Sequence, residues 1–193
     1  LEQGGITPSR DDIMKLRIIS DIKIHILILP KANQFQYTEL EFQQILEDIQ
    51  FCKKLKCDGI VVGALNSNLS VNKTQTKCMV DIARPMKVTF HRAFDCTINM
   101  NQALNDIIDC GCDYLLTSGQ KENVIDGIKN LKQIVKLANK KISIIAGGGV
   151  NHNNIASLYE IGIREFHLSG KEPNKFGELE TNYENINMAV KRV

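Results

Sequence analysis

Missing from this sequence are several features that would announce a function before any fold is considered. There is no basic block: 24 Lys and Arg are interspersed with 22 Asp and Glu, for a net charge of +2 and a pI near 8.2. Without a basic stripe the chain has no electrostatic footprint for nucleic acid or a membrane surface. No apolar run approaches the roughly 20 residues of a membrane span. The N-terminus also lacks the basic, apolar and small-residue order of a signal peptide, so the expected compartment is the cytoplasm. Six cysteines (Cys52, Cys57, Cys78, Cys96, Cys110, Cys112) lack the spacing of a disulfide-stapled small domain. A chain of 193 residues, 43% hydrophobic and 24% charged, buries a sizeable core unaided, and reduced thiols are expected. Also absent are a His-Glu-x-x-His pair, a Cys-x-x-Cys pair, a Walker loop and a Gly-x-Ser-x-Gly elbow, which argues against hydrolytic zinc and acyl-enzyme chemistry.

What is present is a repeat of strand and helix. Apolar strand segments recur at Ile24 to Leu29, Gly59 to Val62, Val88 to Phe90, Tyr114 to Leu116, Ser143 to Ala146 and Glu165 to Leu168. Helical spacing is predicted for Asp11 to Ser20, Glu39 to Leu55, Asn72 to Ala83, Met100 to Ile108, Val124 to Ala138 and Asn153 to Tyr159. Gly111 and Gly162 suit left-handed helix caps. Such alternation predicts an α/β fold of parallel strands joined by right-handed crossovers.

Two architectures share the pattern, a doubly wound sheet and a closed (β/α)8 TIM barrel. A dinucleotide-binding sheet carries a Gly-rich turn after its first strand, and none is found here. Gly147-Gly148-Gly149 instead follows the fifth visible strand, where a barrel places a phosphate loop between its seventh and eighth strands. That reading leaves two strands out. The chain opens without Met, in a loop from Leu1 to Ser9 with Ser9 as a helix N-cap. Strand 1, helix 1 and strand 2 are therefore expected upstream, and residues 1–193 are read as one barrel domain lacking its N-terminal part.

The string Val88-Thr89-Phe90-His91-Arg92-Ala93-Phe94-Asp95 runs an apolar strand straight into polar residues, at the strand end where βα proteins meet their ligands. The candidate catalytic set is His91, Arg92 and Asp95. His91 would act as general acid, base or metal ligand, Asp95 would orient it, and Arg92 would hold a substrate anion. The alternative is structural: Arg92 pairs with Asp95, and His91 satisfies buried neighbours. Alternation places Thr89 with His91 on one face, and Glu165, His167 and Ser169 on another. If those faces point inward, Thr89, Glu165 and His167 form a polar lumen that must be hydrogen-bonded internally. Gly147, Gly148 and Gly149, the helix from Asn153, Ser169, Thr117 and Ser118 form a candidate anion site, with tight-turn geometry as the alternative. His25 is expected in the core. Cys110-Gly111-Cys112 has soft donors that could in principle hold Cu(I), but the expected reading is a helix ended by Cys110 and capped by Gly111, with Cys112 leading into the next strand.

Six segments together resemble the CutC family, named for copper homeostasis, whose members look like TIM barrels: Gly4-Gly5-Ile6-Thr7-Pro8-Ser9, Gly63-Ala64-Leu65, Val88 to Asp95, Leu116-Thr117-Ser118-Gly119, Gly147-Gly148-Gly149-Val150 and Glu165-Phe166-His167-Leu168-Ser169. The resemblance implies a cytoplasmic copper-homeostasis protein, with Cu(I) as the expected metal. It also implies that the family's copper cysteines precede the Gly-Gly-x-Thr-Pro-Ser loop, so none of the six here inherits that role. The family's Ile-Arg-Pro-Arg-Gly-Gly-Asp-Phe reads here as Ile28-Leu29-Pro30-Lys31-Ala32-Asn33-Gln34-Phe35. Leu29 cannot bind an anion, and Lys31 does so only as a point charge. The competing expectation is an enzyme for a small anionic or phosphorylated metabolite; a scaffold is a third. Expected partners are a small anionic ligand or a copper ion, with a homodimer among the assemblies open to the chain.

Overall fold

The computed structural model describes residues 5–19, 21–173, 177 and 179–191; the start of the opening loop, with Gly4, and the expected helix end at Ser20 lie outside them. Two compact units divide the chain, residues 1–115 and 116–193. In the first, α1 (Arg10–Ile19), β1 (His25–Leu27), α2 (Glu39–Lys54), β2 (Gly59–Val62), α3 (Lys73–Ala83), β3 (Lys87–Phe90) and α4 (Met100–Asp109) follow one another. β4 (Tyr114–Thr117) begins there too. The strands pair in parallel in chain order, with Ile60 opposite Ile26 and Val88, and Phe90 opposite Leu115. Ile26, Ile60, Val62, Val88, Phe90 and Leu115 are buried, as the continuous apolar strands of a covered parallel sheet require.

Polar residues hold these elements at both ends. Asn72 and Asn99 cap α3 and α4 by accepting from the N–H of Gln75 and Gln102. α2 opens with a capping box: Thr38 Oγ1 accepts from Glu41 N–H at 3.3 Å and Glu41 Oε2 accepts from Thr38 N–H at 2.9 Å. Asp113, just before β4, accepts from Val88 N–H at 2.9 Å, Arg84 Nη1 at 2.7 Å and Lys87 Nζ at 2.8 Å. Asp58, just before β2, repeats the device with Ile24 N–H at 2.8 Å and Arg17 Nη1 at 3.1 Å.

The second unit holds α5 (Ile128–Ala138), β5 (Ser143–Gly147), α6 (Ile155–Glu160), β6 (Glu165–His167), β7 (Lys171–Pro173), β8 (Leu179–Thr181) and α7 (Tyr183–Val190). β5 and β6 pair in parallel, whereas β7 and β8 form an antiparallel pair. That pair and α7 were not expected, because three-residue polar strands carry no apolar alternation. α5 starts four residues later than its apolar pattern suggests: Gly127 lies so close to Ser118 that a Cβ there would come within 1.8 Å of its carbonyl oxygen. The helix expected from Asn153 begins at Ile155 and is six residues long. Among the described residues no helix is long and apolar enough to cross a membrane.

Candidate functional site

His91 stands where β3 ends, its N–H bonded to Val62 O at 2.8 Å. The side chain caps a short 3-10 helix over Arg92–Cys96, Nδ1 accepting from Ala93 N–H at 3.2 Å. The ring lies 5.0 Å from Phe35 and 5.9 Å from Phe90. Gly63 clears space for it, since a Cβ there would meet His91 Cε1 and Nδ1 at 2.6 Å. With Nδ1 receiving a hydrogen, the neutral ring carries its proton on Nε2. Among the described residues Nε2 has no hydrogen-bond partner, and it is buried in a residue only 4% exposed. Burial pushes the imidazole from 6.5 down to about 4, so His91 is neutral at physiological pH. A nitrogen whose lone pair has been replaced by a proton offers an N–H bond, and this geometry suits a donor better than the expected metal ligand or general base.

Arg92 Nε donates to Asp95 Oδ2 at 2.8 Å, and the two side chains are 41% and 9% exposed. Asp95 therefore orients Arg92, while His91 Nδ1 is met by Ala93 N–H instead. Thr89 is buried on the same strand. Lys31, expected at the anion site, pairs with Glu41 at 2.6 Å. The hydrogen bond from Lys31, followed by those from Thr38, holds Glu41 down at about 2. Leu29, in place of the family arginine, is buried. Two contributors lay outside the sequence expectation. Tyr37 donates its hydroxyl to Gly63 O at 2.8 Å, and Phe35 covers the His91 ring. Phe35 closes the family-like string after β1; nothing in the sequence signals Tyr37.

The second unit positions the remaining candidates. Gly148 and Gly149 adopt φ of 109° and 73°, and a Cβ on Gly147 would meet Leu116 Cδ1 at 2.5 Å. The loop carbonyls are used internally: Gly148 O accepts from Val124 N–H at 2.9 Å and Gly149 O from Asn154 Nδ2 at 2.8 Å. Thr117 Oγ1 accepts from Gly119 N–H at 2.9 Å, and Ser118 Oγ donates to Lys121 O; both side chains are buried. Ser169 is exposed, its Oγ accepting from Lys171 N–H at 3.3 Å. Of the polar-lumen candidates Thr89 is buried, whereas Glu165 and His167 are exposed on β6, which among the described residues pairs with β5 alone. His25 is likewise exposed rather than in the core, lying at the start of β1 against Gly59.

Copper donors are poorly placed. Among the described residues no group of three or more His, Cys, Asp or Glu could hold a metal ion. Cys110 and Cys112 are buried around Gly111, whose φ of 84° makes it the expected helix cap. Burial pushes Cys52 and Cys112 up to about 12 and also raises Cys57 and Cys110, opposing the thiolate that Cu(I) requires. These residues do not fit a Cu(I) centre.

Comparison with known proteins gives a consistent picture. A CutC family protein of Bacteroides fragilis is 38% identical over 179 residues, 92% of this chain and 71% of the relative. The solved putative copper homeostasis protein CutC of Streptococcus agalactiae superposes with a TM-score of 0.82 at 28% identity, covering 86% of this chain and 83% of that one. An aldolase, QR15, shares the fold alone, with a TM-score of 0.65 at 13% identity over 81% of this chain and 73% of its own. The CutC family profile matches residues 1–172, and the chain belongs to the CutC family.

Proposed function

We propose that this protein is a barrel enzyme that binds a small anionic metabolite at the carboxyl ends of its strands. In this reading His91 donates Nε2–H to an acceptor on the ligand, and Arg92, steadied by Asp95, faces its charge. The buried, unpartnered Nε2 carries the proposal. An unmet buried donor costs about 1–3 kcal/mol, and a ligand acceptor removes that cost. Two features support the position: His91 follows β3 directly, and Gly63 is kept small for it. The architecture proposed with it is the (β/α)8 barrel, its first strand, first helix and second strand lying outside these residues. The cytoplasm is the proposed compartment, supported by six free cysteines.

Copper homeostasis is the second reading. The name of the streptococcal relative favours it for that protein, and the burial of the thiols here opposes it.

His91→Asn tests the first reading, because asparagine keeps an acceptor for Ala93 N–H and removes the Nε2 donor. Titrating inorganic phosphate into 15N-labelled protein should shift the His91 Nε2–H resonance saturably, and His91→Asn or Arg92→Ala should weaken phosphate binding at least tenfold with the fold retained. A wild-type resonance unmoved at millimolar phosphate, or variants that lose stability and bind phosphate as before, would sink the proposal.

A further inference from the structure

A cavity of about 440 Å³ opens between the loops that follow β1, β2 and β3. Three amides, Asn33, Gln34 and Gln36, line it together with Phe35, Leu65 and Leu69. Cys96 completes the lining, so among the described residues no Lys, Arg, Asp or Glu side chain faces the space. Such walls desolvate a charge without compensating it, whereas they pair an amide or hydroxyl and cover an apolar ring.

Leu69 adds a separate indication. Its backbone has φ of 60°, the left-handed region that costs a side-chain-bearing residue and favours glycine or asparagine. The turn holding it is tight: Leu69 N–H bonds Asn66 O at 2.9 Å, Asn66 N–H bonds Ser70 O at 2.8 Å, and Leu65 bridges to Val71. A leucine kept where glycine would relieve strain, 37% exposed and lining a cavity, is explained by contact with an occupant. Phe35 joins the cavity to the candidate site, since it lines the space and its ring lies 5.0 Å from that of His91.

We infer that this cavity is a subsite for an uncharged, ring-bearing group with an amide or hydroxyl on it, the part of the ligand remote from its anionic end. The inference rests on the reading that His91 and Arg92 bind the ligand's other end. Together the two sites describe an amphipathic small molecule, with charge met by Arg92 and an apolar ring between Phe35 and Leu69.

Cys96 is exposed at the rim and reports occupancy. The folded protein is treated with iodoacetamide, N-benzyl iodoacetamide and its para-carboxylate, and labelling of the Cys96 peptide is followed by mass spectrometry. Each rate is divided by that reagent's rate with glutathione. The subsite predicts a saturable benzyl rate at least tenfold above iodoacetamide, an advantage lost by the carboxylate. Leu69→Gly should cut the advantage below threefold with Tm unchanged or raised. Equal normalised rates for the two neutral reagents, or an advantage untouched by Leu69→Gly, would overturn the inference. His91→Asn separates the two ideas: loss of phosphate response with the benzyl advantage kept confirms both sites, whereas a wild type with the advantage and no phosphate response loses only the His91 reading.

Discussion

His91 carries its own pH signature. The imidazole is about 6.5 in an unfolded chain and about 4 when folded, with burial as the cause. Between those values the unfolded state binds a proton that the folded state refuses, so stability is full above pH 6.5 and declines as pH falls toward 4. The difference is worth about 3 kcal/mol at most. Carboxylates held down in the fold, Glu41, Asp58 and Asp113, act chiefly below that window. Urea unfolding at pH 7 and pH 4.5 should show the decline in wild type and a flatter profile in His91→Asn; parallel profiles would show that the ring is not buried neutral. At this scale the position of His91 was legible, because an apolar strand ran into it. Its tautomer was not, because that depends on Ala93 N–H meeting Nδ1. Nor was the pairing of Lys31 with Glu41, ten residues away and fixed only when Glu41 closes the α2 capping box.

Strands here are registered by aspartates as well as by apolar pattern. Asp113 accepts from the first amide of the buried part of β3 and from two cations, and Lys87, Val88 and Arg84 hold it charged despite partial burial. Asp113→Ala leaves Val88 N–H without an acceptor and should cost about 2 kcal/mol in urea unfolding, with an unchanged m-value. Asp58→Ala, with one cation and a side chain 32% exposed against 16% for Asp113, should cost less. Equal costs would mean that the amide bond common to both aspartates, not the extra ion pair of Asp113, sets the penalty. Elements with long apolar periodicity were legible nearly to their ends, as α2 and β2 show. What sequence could not show were contacts: Gly127 against Ser118, which delays α5, and the pairing of β7 with β8, whose three-residue sequences carry no apolar alternation.

For the whole molecule the question is how its soft donors are distributed. Cu(I) asks for two or more converging sulfur or nitrogen donors, and thiol ligands must lose their protons. Cys52 and Cys57 hydrogen-bond to one another, and Cys110 and Cys112 flank one glycine, yet all four are buried and desolvation keeps them protonated. Cys96 is exposed, Cys78 is half-buried, and neither belongs to a metal-holding group among the described residues. Anaerobic titration with Cu(I) against a competing chelator should therefore move no stoichiometric copper to the folded protein, and should move it once urea exposes the thiols. One equivalent taken up by the folded chain, and lost in Cys52→Ser or Cys110→Ser, would show that burial does not silence these pairs and would restore copper as the first reading. Without such uptake the proposed function rests on the strand ends, where the neutral His91 ring would offer its Nε2–H to a ligand, and the buried thiols belong to the core.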